Sequence, residues 1–143
     1  MAVTSLSVQQ QVASIFLSYF QRAPEFEAMA WYSQQLNELL QDNDPETAYK
    51  LLSAQVYTDG VRHGEVPAPG GMSNAQYVNY IYQNVLGREA DDDGFAYWTA
   101  QLDSGDIERA ELVAIVINAA LNGDERDAAY VSNRTEVAVE FAQ

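Results

Sequence analysis

Two stretches of the chain decide its fold: residues 12–36 are VASIFLSYFQRAPEFEAMAWYSQQL, and residues 78–102 are VNYIYQNVLGREADDDGFAYWTAQL. They align without a gap at an offset of 66 residues, and six of the 25 aligned positions are identical. The identical pairs are Val12/Val78, Ile15/Ile81, Arg22/Arg88, Ala30/Ala96, Gln35/Gln101 and Leu36/Leu102. Since several other positions keep their chemical type, we interpret the stretches as two copies of one repeat.

The apolar residues of the second copy have helical spacing. From Val78 to Leu86 they recur at i, i+3, i+4, i+7 and i+8, which predicts an amphipathic helix. Gly87 predicts the end of this helix, and Asp91–Asp93 predict the start of the next, which turns Phe95, Trp98 and Leu102 inward. Ser104–Asp106 predict a break that caps a third helix at Ile107–Leu121.

The same pattern extends to the rest of the chain. In the first copy we expect helices at Val8–Gln21, Glu25–Gln41 and Pro45–Tyr57, with Pro45 at the favoured first helical position. A closing helix is expected from Asp124 to Phe141, with its apolar residues packed on the others. These residues are Tyr130, Val131, Val137 and Phe141.

The predicted fold class is therefore all-α: two tandem copies of a three-helix repeat plus a closing C-terminal helix, packed as a helical bundle. We divide the chain into a first repeat at residues 1–57, a linker rich in glycine and proline at 58–72, and a second repeat with the closing helix at 73–143. A chain of 143 residues can bury a sizeable core without disulfides or metals. No stretch shows the alternation typical of a strand.

Composition excludes several classes of function. The formal net charge of −14 would repel phosphate backbones and anionic lipid, so we expect no nucleic acid partner and no membrane insertion. There is no cysteine, and His63 is the only histidine, so an ordinary zinc site cannot form. Since no nucleophile triad, phosphate loop or dinucleotide motif is present, we predict that the protein is not an enzyme.

The N-terminus has neither a basic region nor a continuous apolar region, so it does not resemble a secretory signal peptide. This leaves two locations open: the cytoplasm, or the cell exterior after export by a route that does not use an N-terminal signal.

The run Asp91-Asp92-Asp93-Gly94 has two interpretations. It suggests a calcium loop, but it lacks both the alternating aspartate spacing and the glutamate at the twelfth position. The alternative is a helix N-terminus, where carboxylates cap free N–H groups and favour the helix dipole. We expect the capping role and no cofactor, and calcium is kept as the alternative.

The candidate ligand-binding residues are two aromatic pairs and two arginines: Trp31, Tyr32, Tyr97, Trp98, Arg22 and Arg88. Adjacent helical residues point about 100° apart, so one member of each pair can be buried while the other contacts a sugar or a protein. The alternative is that both members belong to the core. The arginines could contact an anion or a sugar, or tie turn carbonyls to an acidic helix start.

The second copy also resembles a known family. Gly87-Arg88, Asp91, Gly94 and Tyr97-Trp98 match the motif of the small helical repeat known as domain of unknown function 4214. Residues 133–142 also look like the closing helix of that family. The first copy departs from the motif, with Gln21 and Ala28 in place of the two glycines and Pro24 before Glu25.

The resemblance implies a setting. The family recurs in large surface proteins of Gram-negative bacteria, including S-layer and calcium-binding RTX-type proteins, many of them exported by type I secretion. Phycobilisome linker domains are distantly similar. We therefore expect a cell-surface attachment or assembly module of an exported protein, binding surface polysaccharide such as lipopolysaccharide or a neighbouring surface protein. The alternative is a protein–protein linker or scaffold without glycan binding, with or without calcium dependence.

Overall fold

The structure is a computed structural model that describes residues 6–20, 24–62, 72–123 and 125–141. These residues form seven helices and no strand: α1 (Val8–Phe20), α2 (Phe26–Asp42), α3 (Pro45–Arg62), α4 (Asn74–Leu86), α5 (Asp92–Ser104), α6 (Arg109–Asn122) and α7 (Glu125–Phe141). The predicted all-helical class is confirmed. No described helix is both long enough and apolar enough to cross a bilayer.

The helix starts follow the repeat. Val8 and Asn74, which begin α1 and α4, are 66 residues apart, and so are Phe26 and Asp92, which begin α2 and α5. The identical apolar pairs Val12/Val78, Ile15/Ile81 and Leu36/Leu102 are buried in both halves. These three pairs therefore have the same burial in both stretches.

One hydrophobic core contains residues from both halves. α1 packs against α2, α3, α4, α6 and α7, so the closing helix of the chain lies on the first helix. The third helices, α3 and α6, pack against each other, and α5 packs mainly against α4. Fully buried residues come from most helices: Ile15, Leu36, Leu52, Ile81, Leu112 and Ile117.

Three expected details differ in the structure. The helix expected to end at Tyr57 continues to Arg62, because Val56 and Gly60 extend the buried face of α3 into the segment assigned to the linker. There the Tyr32 hydroxyl donates to Asp59 at 2.8 Å, which ties this extra turn to α2. Residues 63–71, which include His63, lie outside the described residues.

The third helix of the second copy begins at Arg109 rather than Ile107. Glu108 is its cap residue, and the Glu108 N–H donates to the Glu111 carboxylate at 3.1 Å. Glu108 and Glu111 thus provide partners for free backbone groups at the start of α6. The helix begins two residues later than the Ser104–Asp106 break suggested.

The buried face of α7 also differs. Tyr130 and Val137 are 38% and 51% exposed, whereas Ala128, Val131, Thr135 and Ala138 are buried. Small residues occupy the buried positions because α7 packs against three helices, α1, α4 and α6. The two larger side chains, Tyr130 and Val137, are therefore partly exposed rather than part of the core.

Candidate functional site

The two aromatic pairs divide in the same way in both halves. Trp31 on α2 and Tyr97 on α5 are each 55% exposed. Their neighbours Tyr32 and Trp98 are half-buried and pack against the core. The alternative that all four aromatics belong to the core is therefore wrong for Trp31 and Tyr97, because a 100° step around the helix turns them away from it.

Tyr32 is held from two sides. Its ring meets Phe16 of α1 edge-on, with ring centroids 5.4 Å apart, and its hydroxyl donates to Asp59 of α3. The side chain therefore joins three helices of the first half. These contacts explain Tyr32 as a residue that packs the helices together.

Trp98 has the equivalent position in the second half. Its indole Nε1 donates to the Tyr82 hydroxyl at 3.0 Å, and Tyr82 occupies the position on α4 that Phe16 occupies on α1. Burial raises the pKa of Tyr82 above its ordinary value. The Tyr97 ring meets Trp98 edge-on at a centroid distance of 4.7 Å, so a buried partner holds the exposed ring in place.

Arg88 lies in the turn after α4 and reaches the start of α7. Its Nη2 and Nε donate to the two carboxylate oxygens of Asp127, at 2.9 and 3.4 Å, and Nη1 donates to the Glu89 carbonyl. The bond to Asp127 raises the pKa of the guanidinium above its ordinary value. The geometry therefore supports the interpretation that Arg88 ties a turn carbonyl to an acidic helix start. This helix start is that of α7, not the start of α5 at Asp91–Asp93. Arg22 lies outside the described residues.

Asp91 caps α5, as predicted. Its Oδ1 accepts from the Gly94 N–H at 2.8 Å, and Asp92 and Asp93 lie in the first turn. A side chain at Gly94 would place its Cβ 2.6 Å from Asp91 Oδ1 and 3.2 Å from the Tyr82 hydroxyl, so the cap leaves room only for glycine. Among the residues that the structure describes, no group of three acidic or histidine side chains is arranged to hold a metal ion.

Trp31 and Tyr97 lie on helices that are not close packing partners. α2 packs mainly on α1 and α3, α5 packs mainly on α4, and α1 packs on α4. The helices α1 and α4 therefore link α2 to α5, and the two exposed rings lie on different helix pairs.

A groove of about 330 Å³ lies between α3 and α6. Its lining includes Tyr49, Lys50, Ile115 and Asn118. The Tyr49 hydroxyl is 2.5 Å from Ser14 Oγ, and Lys50 pairs with Glu111 at 3.5 Å, so both are already engaged within the fold. The groove is mostly apolar and offers few free polar groups to orient a ligand.

Sequence reasoning missed the partners that support these residues. Tyr82 could have been found, because it aligns with Phe16 and carries a hydroxyl in place of a hydrogen. Asp127 had no local signal, because it is 39 residues from Arg88 and meets it only through the packing of α7.

Comparison with known families agrees with the motif. Residues 68–122 match the family model described as Domain of unknown function (DUF4214). The match confirms the resemblance for this segment, and it contains all six motif residues from Gly87 to Trp98. It ends before α7, so it does not include the closing helix, and residues 1–67 also lie outside it. Searches of the curated proteins and of the solved structures found no match.

Proposed function

From the DUF4214 domain in residues 68–122, we propose that this protein is a cell-surface attachment or assembly module of an exported bacterial surface protein, and that it binds surface polysaccharide through Trp31 and Tyr97. The observation that carries the proposal is the equal exposure of these two rings, 55% each, at equivalent positions of the two halves. Exposed aromatic faces stack on sugar rings and anchor partners.

The other motif residues support this choice by elimination. Gly87, Arg88, Asp91, Gly94 and Trp98 each have a partner or a backbone role within the fold. Tyr97 is the motif residue whose ring faces solvent. A large apolar ring exposed to water stabilises the fold little, so its presence in the motif is better explained by binding.

Charge narrows the class of polysaccharide. A surface with a net charge of −14 repels acidic polymers, so a neutral or zwitterionic glycan fits best. Two linked weak sites on one polymer can exceed either affinity by roughly 10²–10⁴. A long surface glycan can reach both sites, which a single sugar cannot.

The proposal predicts that purified protein binds cells that carry surface polysaccharide and fails to bind cells stripped of it. Trp31→Ala and Tyr97→Ala should each weaken binding, because each removes a stacking face worth about 0.5–1.5 kcal/mol. This is about two- to tenfold in affinity. The double variant should lose up to about the product of the two, because both sites contribute to the linked binding. A cell pull-down measures all three.

Phe26→Ala is the matched control. Phe26 is also on α2 and is 69% exposed, but it lies outside the aromatic pairs, so its removal should leave binding unchanged. Thermal unfolding of each variant should match the parent chain. Equal binding to bare and polysaccharide-bearing cells would remove the glycan role.

The second candidate is a protein–protein scaffold without glycan binding. The placement of Trp31 and Tyr97 on helices that are not close packing partners favours it, because a scaffold must contact two neighbours at once. Chemical cross-linking to a surface protein on both cell types, abolished in Trp31→Ala or Tyr97→Ala, would support this alternative.

A further inference from the structure

Each exposed aromatic is the centre of a line of three side chains along its helix. On α2 the line is Glu27, Trp31 and Gln35, which we call the α2 stripe. On α5 it is Asp93, Tyr97 and Gln101, which we call the α5 stripe. Residues four apart lie on one helix face, and eight residues of helix span about 12 Å. Each stripe therefore presents a carboxylate, an aromatic ring and a carboxamide in one row.

The two stripes agree in exposure as well as in residue type. Glu27 and Asp93 are exposed, Trp31 and Tyr97 are equally exposed, and Gln35 and Gln101 are half-buried. The carboxamide at one end of each stripe is thus less exposed than the carboxylate at the other end. This gives the two stripes the same profile along the helix.

Several other solvent-facing positions of the same helices have diverged, although the exposed pair Ala30/Ala96 is kept. Phe26 aligns with Asp92, Gln34 with Ala100 and Glu38 with Ser104, and all six are exposed. The acid of each stripe also lies in the first turn of its helix, where the helix dipole favours it, whereas the dipole gives no reason to keep the aromatic ring and the glutamine in register. The retention of the stripe in both copies therefore indicates a shared task at the surface.

We propose that each stripe is an oligosaccharide subsite for neutral sugars, an inference that rests on the proposed function. The ring stacks on the apolar face of a sugar. The carboxylate accepts hydrogen bonds from sugar hydroxyls, and the carboxamide both accepts and donates. A row of about 12 Å contacts a short oligosaccharide rather than one ring.

The stripes select against acidic sugars. Glu27 and Asp93 place a negative charge in each row, and Asp92 and Asp91 add two more near the α5 stripe. Arg88, the nearest cation along the chain to the α5 stripe, is paired with Asp127. An uronate or another anionic sugar therefore meets repulsion at the α5 stripe, whereas a neutral hydroxyl meets an acceptor.

The test uses the full chain on an array of neutral, amino and uronate-containing oligosaccharides, followed by calorimetric titration of the strongest neutral binder. The variant Glu27→Ala with Asp93→Ala, and the variant Gln35→Ala with Gln101→Ala, should each weaken binding by about fivefold or more, since each removes hydrogen bonds at both stripes. Asn37→Ala is the matched control. Asn37 is exposed on α2 but points about 120° away from Trp31, so its removal should change binding less than about twofold.

The outcomes separate the two proposals. If Trp31→Ala and Tyr97→Ala abolish binding while the carboxylate and carboxamide variants do not, the stripe is wrong and the proposed function stands. Equal binding of uronate-containing and neutral oligosaccharides overturns the selection for neutral sugars. If the parent chain binds no glycan on the array, the proposed function fails, and the stripe fails with it. Selective loss in the stripe variants, with unchanged thermal unfolding, is the expected result.

Discussion

Gly87 and Gly105 end α4 and α5 with positive φ angles of 70° and 83°, a backbone conformation that costs other residues about 1–2 kcal/mol. The two positions differ in their surroundings. A Cβ on Gly87 would lie 2.7 Å from the Tyr130 hydroxyl of α7, whereas a Cβ on Gly105 would meet nothing within 4 Å. The first motif glycine thus serves both the turn and the approach of α7.

Gly87→Ala should therefore destabilise the protein more than Gly105→Ala. Both variants lose about 1–2 kcal/mol in the free energy of unfolding from backbone strain, but only Gly87→Ala also forces the Tyr130 ring to move. Urea unfolding measures the difference. In a Tyr130→Ala background the extra loss should disappear, and equal losses in the two single variants would contradict the role of Tyr130.

At the scale of the helices, the free backbone groups at helix ends are hydrogen-bonded partly by local caps and partly by side chains distant in sequence. Ser73 forms a capping box with Gln76 at the start of α4, a signal that neighbouring residues carry. The end of α1 depends on α4: Asn84 Nδ2 donates to the Ser18 carbonyl at 2.7 Å, and Tyr80 donates to the Tyr19 carbonyl at 2.8 Å. The Arg134 guanidinium of α7 in turn donates to the Asn84 carbonyl.

The α5 cap gives a prediction at this scale. Asp91→Ala should lower the free energy of unfolding by about 1 kcal/mol, because the Gly94 N–H loses its acceptor, and Asp91→Asn should retain most of the stability because asparagine also caps well. Added calcium should not shift the unfolding midpoint of the parent chain. A midpoint that rises with calcium in the parent but not in Asp91→Ala would instead make Asp91 a calcium ligand.

At the scale of the whole molecule, buried tyrosines join the two halves. The Tyr57 ring lies 5.7 Å from Tyr19 of α1 and 6.4 Å from Tyr77 of α4. The Tyr19 hydroxyl is 3.1 Å from Ser53 Oγ of α3 and donates to the Ala110 carbonyl of α6 at 3.2 Å. The Tyr19 hydroxyl has partners on helices distant in sequence, so its burial depends on both halves being packed together.

Burial raises the pKa of Tyr19, Tyr49 and Tyr77 well above the ordinary value of 10.0. In the unfolded chain these tyrosines lose their protons near pH 10, whereas in the folded chain they keep them. The unfolded state then binds fewer protons, so stability is full below about pH 10 and falls as pH rises further.

We expect the thermal midpoint to fall above about pH 10, with tyrosinate absorbance rising together with the loss of helical circular dichroism. Tyr49→Phe should be less stable at pH 8 by about 1 kcal/mol, because the Ser14 hydroxyl loses its partner. Its stability should also fall less steeply above pH 10, because one titrating group is gone. Tyrosinate absorbance that rises fully while the helices remain intact would contradict this account.

Local signals predicted the helices well, because spacing, caps and glycine stops act over a few residues. Six of the seven helix starts agree within one residue with the positions expected from the sequence, with Ser73 or Asn74 as the expected cap of α4. The identical pairs Val12/Val78, Ile15/Ile81 and Leu36/Leu102 are buried in both stretches. The site was predicted less completely. The 100° step between adjacent helical residues predicted one exposed member in each aromatic pair, but it did not say which one. The sequence pattern also assigned Tyr130 and Val137 of α7 to the core, although both are exposed.

The sequence by itself determined the all-helical class, the positions of most helix ends, the cap at Asp91 and the family motif, because each depends on residues close together in the chain. Only the tertiary structure decided that Trp31 and Tyr97, rather than Tyr32 and Trp98, face solvent, and that Arg88 pairs with Asp127. These outcomes depend on which helices pack together. Packing forms contacts between residues tens of positions apart, and the hydrophobic pattern of one helix identifies its buried face but not the helix that covers it.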